Sequence, residues 1–490
     1  MHDIKLELYD SNLGKKIPFE PNDRNQVKIY SCGPTVYNYS HLGNLRSYIF
    51  VDALRRTIKL FGYQPDQSMN ITDIDDKIIR ESISQNISIE EFTKPWTEKF
   101  FADLETLNIE KLEHYPKATE SIDDMMHIIE RLEDQGMTYE KDGNIYFSIG
   151  KFREYGSLSK IDTSGMISGA RYDADEYEKE NVRDFVLWKA PKEEGEKFWN
   201  TKKGKGRPGW HLECSAMIRK VYQSGVDIHT GGIDLLFPHH ENEVAQSKGA
   251  YPKEEFVKYW LHCEHLLVEG QKMSKSKGNF YILSDIIGKG YNWKAIRYVL
   301  LSFHYRTKLN FSFDRLEEAK ISIEKIQNTL NRLLELSFEK KIAIPEPLKS
   351  QSDFLNRIPV SVAKEAYHEM LKGLADDINS PKVLASVFEN IKILNSKLDR
   401  DELSSEDILD YLLYFRAIDS FLGIFEFKRE NQSSIAADQE SYILSKIAER
   451  KKAKLDRDFK LADSIRDDLK SQGIILEDSK DGSVKWKIDK

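Results

Sequence analysis

The stretch from Val27 to Ile71 constrains the fold more than any other part of the chain. Val27-Lys28-Ile29-Tyr30-Ser31 reads as a buried strand stopped by Gly33-Pro34. Leu45, Ile49, Leu54, Ile58 and Phe61 then recur at roughly helical spacing up to Gly62. A second short strand at Ser68-Met69-Asn70-Ile71 completes a βαβ unit. Such units build parallel sheets that bind nucleotides at the carboxyl ends of their strands, and His41 falls in that crevice.

At 490 residues the chain exceeds what one hydrophobic core organises, so about two to four domains are expected. From Ile87 to Gln135 the pattern is mostly helical, and Thr138 to Ser148 follows as two β-like runs around an Asp142-Gly143 turn. This reads as an insertion, because strand signals return at Val226-Asp227-Ile228-His229 and from Phe256 to Leu267. The nucleotide fold is therefore split in sequence, with residues 1–110 as its first half, 111–200 as a connective insertion and 201–310 as its second half. Amphipathic stretches near Leu316 to Leu336, Val360 to Leu398 and Ile408 to Leu422 predict an α-helical bundle over 311–427. Polar Lys428 to Glu440 reads as a linker to a small α+β unit over 441–490. That unit should hold one helix from about Gln439 to Ser471, then strands around Ile474 to Leu476 and Val484 to Ile488 joined through Asp481-Gly482.

A hydrophobic content of 40%, a charged content of 31% and a mean hydropathy of -0.56 describe a globular chain rather than a disordered or membrane-spanning one. Met1-His2-Asp3-Ile4-Lys5 lacks a basic region followed by an apolar segment, so a cytoplasmic location and no membrane partner are expected. Three cysteines cannot form a disulfide framework, which makes each thiol a candidate for chemistry or metal binding. The net charge of -8 argues against indiscriminate nucleic-acid binding but leaves room for a local basic face.

Lys272-Met273-Ser274-Lys275-Ser276 follows the Phe256 to Leu267 strand signal. Two ammonium groups and two hydroxyls on five residues suit a loop that closes over a polyphosphate, following its negative charge and donating hydrogen bonds to its oxygens. His41-Leu42-Gly43-Asn44 stands where the first helix begins. The imidazole and the free N–H groups of the opening turn can face an anion together, and Gly43 leaves space for a nucleotide. Each word alone has a plain reading, a solvated Lys/Ser loop and a helix-capping turn; their pairing is what points to a nucleotide's phosphates. In His239-His240-Glu241-Asn242-Glu243, introduced by Pro238 at an expected first helical turn, His239 and Glu243 share one face. Cys32 and Cys214 could complete a zinc quartet with them. Spacing alone favours buried structural cysteines and a solvated acidic helix over that metal site.

A βαβ entry carrying a His-x-Gly-x word, a late Lys-Met-Ser-Lys-Ser loop and a helical C-terminal region together resemble the class I aminoacyl-tRNA synthetases. Asn44 stands where a second histidine is commoner. Within that class the chain resembles the cysteinyl-tRNA synthetases along its whole length. The matching words are Tyr30-Ser31-Cys32-Gly33-Pro34-Thr35-Val36-Tyr37, Asn70-Ile71-Thr72-Asp73-Ile74-Asp75-Asp76-Lys77, Asp184-Phe185-Val186-Leu187-Trp188-Lys189, Pro208-Gly209-Trp210-His211 through Cys214-Ser215-Ala216-Met217, and Phe237-Pro238-His239-His240-Glu241-Asn242-Glu243. Asp376-Asp377-Ile378-Asn379-Ser380-Pro381 varies a family word, and Phe459-Lys460-Leu461-Ala462-Asp463-Ser464-Ile465-Arg466-Asp467 matches the family's anticodon-end domain.

The resemblance implies a class I Rossmann-like catalytic domain with an insertion, then the helical bundle and a small anticodon-binding domain. It implies one Zn2+ per chain on Cys32, Cys214, His239 and Glu243, ATP with Mg2+ bound by His41, Gly43, Asn44, Lys272, Ser274, Lys275 and Ser276, and catalysis by His41, Lys272 and Lys275. Thr72, Trp210 and His229 would border a pocket for L-cysteine, although a strand-end hydroxyl, a core aromatic and a satisfied histidine are their plain readings. Cys263 matches no family site and reads as a buried strand thiol, with His211 and His240 as supporting residues. The implied reaction joins cysteine to ATP as cysteinyl-adenylate and then to a terminal ribose hydroxyl of tRNA(Cys), by a monomer and without an editing domain. A cysteine ligase of mycothiol synthesis shares the catalytic set but looks shorter at its C-terminus, whereas the tail from Ser441 to Lys490, with Arg450-Lys451-Lys452-Ala453-Lys454, favours tRNA. A zinc hydrolase built on His239 and Glu243 would leave the Lys272 to Ser276 loop unexplained.

Overall fold

The computed structural model describes residues 4–161, 184–191, 196–274, 277–348, 362–428, 437–456, 458–478 and 484–488. Two compact units emerge, Met1–Glu426 and Phe427–Lys490. The first is organised by a four-stranded sheet in the order Val257–Cys263, Val226–Gly232, Val27–Ser31 and Pro65–Met69. All three pairings are parallel, with Ile29 opposite both Ile228 and Gln67. The chain passes from Val27–Ser31 to one neighbour directly and reaches the other only after the insertion. This order creates a topological switch point between Val27–Ser31 and Val226–Gly232, where such sheets bind ligands.

Both sheet edges are covered, which removes free pairing edges. A hairpin of Glu7–Asp10 and Lys15–Pro18, which the sequence pattern did not announce, docks on Val257–Cys263 through Ser11 N–H to Trp260 O (2.8 Å) and Trp260 N–H to Asp10 Oδ1 (2.9 Å). On the far edge, His114 N–H donates to Gln67 O and Met69 N–H to His114 O, each at 3.1 Å. Inserted between the halves is a five-stranded antiparallel sheet ordered Thr138–Lys141, Asn144–Phe147, Phe185–Lys189, Gly204–Pro208 and Trp199–Thr201. Its first hairpin turns at Asp142-Gly143, both with positive φ (52° and 76°), as a two-residue hairpin turn requires. The helices Ile122–Asp134, Trp210–Tyr222 and Glu241–Ala250 share one buried core with Phe147, Phe185 and Trp188 of this sheet.

Several expected elements differ in extent. The second strand starts earlier, at Pro65–Met69, because its first residues pair with Val27 and Lys28. The long strand expected from Phe256 divides into Val257–Cys263 and Leu266–Val268. The helical stretch from Ile87 includes an irregular segment over 107–121 between Ile89–Thr106 and Ile122–Asp134. The stretch expected from Val360 is two helices, Val362–Ala375 and Ser380–Asp399, split where Asp377 and Ile378 take positive φ (59° and 53°) and Asn379 caps the second helix by accepting from Lys382 N–H. With Phe313–Glu339 and Ser405–Leu422 these helices form the bundle.

In the second unit the single expected helix is two, Ala437–Leu455 and Phe459–Ser471, because Asp458 caps the latter by accepting from Leu461 N–H. The break lets Ile443 of the first helix meet Ile465 and Leu469 of the second over Ile474, Leu476 and Trp486 of an antiparallel hairpin. Its Asp481-Gly482 turn lies outside the described residues, as do 429–436 of the linker.

Candidate active site and metal centre

His41 closes the first strand's exit loop and caps the helix Leu42–Leu60. Its Nδ1 accepts from Asn44 N–H and the Asn44 side-chain oxygen accepts from His41 N–H, each at 3.2 Å. A neutral ring that accepts at Nδ1 carries its proton on Nε2, which is then the donor available to a ligand. Burial holds the His41 imidazole below its ordinary value, favouring that neutral form. Gly43 is needed for space: a Cβ there would lie 2.9 Å from His41 Cε1 and 3.1 Å from Met273 Cε, so the opening turn and the Lys/Ser loop are in contact.

Cys32 follows the first strand, Cys214 lies on Trp210–Tyr222, and His239 and Glu243 flank the start of Glu241–Ala250. One ligand atom from each lies within 4.8 Å of all the others. The helix begins later than Pro238 predicted; Leu236–His240 is a kinked turn with Phe237 extended, and Glu243 still comes within 3.1 Å (Oε1) of His239 Nε2. Cys32, His229, His240 and Glu243 form a second overlapping group. The first group fits a cation better. Glu243 Oε2 is occupied by His229 Nε2 at 2.9 Å, whereas Oε1 is buried without a hydrogen bond of good geometry.

Protons and charge are shared closely within the first group. A hydrogen bond from Cys32, against burial and helped by His239, brings the Cys214 thiol down to about 6. The same hydrogen bond, with burial, pushes the Cys32 thiol up. Burial alone would lower the His239 imidazole, but Cys214 and Glu243 hold it up to about 10. His239 is thereby the positive partner of the Cys214 thiolate and the Glu243 carboxylate; two thiols, an imidazole and a carboxylate converging in this way are also the donor set that would hold a zinc ion, with the imidazole then neutral.

The pocket candidates fall into different environments. Trp210 is 43% exposed with its ring 4.4 Å from that of His239, so it is a lid over the quartet's imidazole rather than a core aromatic. His229 is fully buried, stacks on Trp260 at 4.6 Å and orients Glu243. The buried Thr72 hydroxyl donates to Glu213 Oε2 (3.2 Å) and accepts from Asn70 Nδ2 (3.0 Å). Sequence reasoning missed Glu213 and the relay from Cys32 Sγ to His240 Nε2 (3.3 Å), His240 Nδ1 to His262 Nε2 (2.8 Å) and His262 Nδ1 to Ser11 Oγ (2.7 Å). Only the buried strand word Leu261-His262-Cys263 hinted at it, through a histidine in an apolar run. Cys263 is the buried strand thiol expected, pushed up to about 11 by burial.

Lys272 ends the short strand Gln271–Lys272 and is exposed, while Ser274 N–H donates to Asn279 Oδ1 at 2.8 Å. Lys275 and Ser276 lie outside the described residues.

A parallel sheet split in sequence by an insertion, with a capped His-Leu-Gly-Asn turn that packs against Met273, is the arrangement of the class I aminoacyl-tRNA synthetases. Residues 18–321 match the family model for the catalytic domain of class I (C) tRNA synthetases, and 371–426 match the DALR domain. A cysteine–tRNA ligase of Leptospira interrogans (serovar copenhageni) is 57% identical over 486 residues, 99% of each chain. Another, of Solibacter usitatus, is 46% identical over 484 residues, covering 99% of this chain and all of that one. Methionyl-tRNA synthetase of Mycobacterium tuberculosis with methionyl-adenylate shares the fold at a TM-score of 0.56 and 12% identity, over 81% of this chain and 89% of that one. The chain belongs to the cysteine–tRNA ligase family.

Proposed function

We propose that the protein activates L-cysteine with ATP and Mg2+ to cysteinyl-adenylate and transfers the cysteinyl group to the 3′-terminal ribose of tRNA(Cys). The observation that carries this reading is the convergence of Cys32, Cys214, His239 and Glu243 at the exit of the same strand whose loop ends in the capped His41. Zinc on those four residues would bind the cysteine sulfur as thiolate, a distinction that serine's hydroxyl cannot satisfy. His41 donates from Nε2 to phosphate oxygens, Gly43 admits the nucleotide and Asn44 holds the imidazole in its donating tautomer. Lys272 and Ser274, with Lys275 and Ser276, stabilise the departing pyrophosphate; no protein nucleophile is required. Thr72 and Trp210 border the cysteine, and His229 acts on it through Glu243.

Correspondence of relatives over 99% of the chain, tail included, supports tRNA over an amino sugar as acceptor. Among the described residues no helix is long and apolar enough to cross a membrane. A cytoplasmic monomer is proposed, with catalytic halves on either side of an insertion that begins near 111 and runs through the strand Gly204–Pro208, 311–427 contacting the tRNA stem and 441–490 its anticodon end. Cysteine-dependent exchange of pyrophosphate into ATP, followed by transfer to tRNA(Cys) or to an amino sugar, tests the reading. Exchange with cysteine and transfer to tRNA are expected; no exchange, or transfer only to the sugar, overturns it.

A further inference from the structure

We infer that Arg46 is a positioning residue that fixes the base of the Lys272 loop to the helix of His41, and so sets where the Lys272 ammonium group meets the leaving pyrophosphate. The inference rests on the loop's proposed role. Arg46 lies one turn into Leu42–Leu60 and is 2% exposed. Its Nη1 donates to the carbonyls of Glu264 (2.8 Å) and His265 (2.7 Å), and its Nη2 to those of His304 (3.3 Å) and Thr307. Among the described residues no carboxylate is within ion-pair distance, so a buried cation is held by backbone oxygens alone. Such an arrangement is costly unless the charge is fully solvated by fixed dipoles.

The gripped carbonyls are specific ones. Glu264 and His265 precede Leu266–Val268, which pairs antiparallel with Gln271–Lys272, while His304 and Thr307 precede Leu309–Phe311, its parallel neighbour. Arg46 therefore clamps the entry of the strand that pairs with Gln271–Lys272 and the entry of that strand's other neighbour. The exit of the loop is held by the same helix start: Leu42 N–H donates to Tyr281 O at 3.0 Å, and His41 bridges Ile282. Glu269-Gly270, the two-residue turn between Leu266–Val268 and Gln271–Lys272, takes positive φ (50° and 76°), so the strand that opens the loop is held in a tight hairpin against the strand whose entry Arg46 grips. A planar guanidinium fork can serve several carbonyls arranged around it, whereas an ammonium serves one cluster of directions.

The test is a double-mutant cycle on the full chain, Arg46→Lys and Lys272→Ala, read by cysteine-dependent pyrophosphate exchange. Arg46→Lys should lower kcat about 10–100-fold, as a misplacement of about 1 Å does, with KM for cysteine within about twofold. In the Lys272→Ala background the same substitution should cost almost nothing further. Independent, multiplying losses in the two variants overturn the inference alone; a Lys272→Ala enzyme with unaltered exchange removes the loop reading and the inference with it. Should Arg46→Lys not fold, hydrogen exchange of the wild-type chain decides. Amides of 264–268 and 305–311 should stay protected with and without ATP while those of 271–281 change, and equal opening of all three segments overturns the anchor.

Discussion

His41 Nδ1 accepts a hydrogen bond from the Asn44 backbone N–H at 3.2 Å, and this one contact decides which ring nitrogen faces the ligand. The proton is left on Nε2, so the imidazole donates to phosphate without being charged. His41→Ala should slow adenylate formation about 10²–10³-fold with little change in KM for cysteine, measured by single-turnover exchange. Asn44→Ala, which removes only the side-chain half of the cap, should cost less.

The same contact sets a pH dependence. Burial lowers the His41 value below its ordinary 6.5, so the neutral ring persists through neutral pH and the His41 contribution stays flat above it. Acidification below the lowered value protonates Nδ1 and breaks the bond from Asn44. The ratio of wild-type to His41→Ala exchange rates, followed downward from pH 8, should be constant and then fall only on the acid side of 6.5.

Asp52 and Arg297, both with fully buried side chains, tie the His41 helix to Trp293–Leu301, and Arg297 Nε also donates to Leu422 O of the bundle. Burial would raise the Asp52 carboxyl, but Arg297 and Arg56 hold it below 3.8. Its contribution to stability is therefore complete above that value and lost as pH falls through the lower folded-state value. Asp52→Asn leaves Arg297 buried beside a neutral amide and should destabilise the first unit by about 3–5 kcal/mol in urea unfolding. Its acid-unfolding curve should lack the limb that Asp52 adds.

Glu243 is aimed by His229, so the histidine should matter to metal retention without being a ligand of the first quartet. His229→Ala is expected to weaken zinc binding about 10–100-fold in chelator competition. Cys214→Ser should abolish stoichiometric zinc and cysteine-dependent exchange together, and zinc restored to chelator-stripped wild-type enzyme should restore both.

Leu469 is fully buried in the small core of the second unit. Leu469→Ala should destabilise that unit by about 2–5 kcal/mol and raise KM for tRNA(Cys), while cysteine-dependent exchange is preserved. Loss of exchange in this variant would show that the unit serves the first step as well.

Elements with local signals were legible: the strand from Val27, the helix ended by Gly62 and the Asp142-Gly143 hairpin each declare themselves within a few residues. Helix breaks were not, because apolar spacing continues through Asp377 and through Asp458, and only a backbone reversal or a capping carboxylate interrupts it. Asn379 and Pro381 did mark the first break in retrospect, as a cap and an early-turn proline. In the site, Cys32, Cys214, His239 and Glu243 were identifiable by resemblance rather than by spacing. Glu213, His262 and the carbonyl cage of Arg46 depend on contacts between distant segments, which no local pattern encodes.

Zinc K-edge X-ray absorption of the loaded enzyme, with and without L-cysteine, reads directly whether the metal takes the substrate sulfur. Two sulfur neighbours are expected without substrate, from Cys32 and Cys214, rising to three with cysteine and staying at two with serine. An unchanged sulfur count on adding saturating cysteine would contradict it.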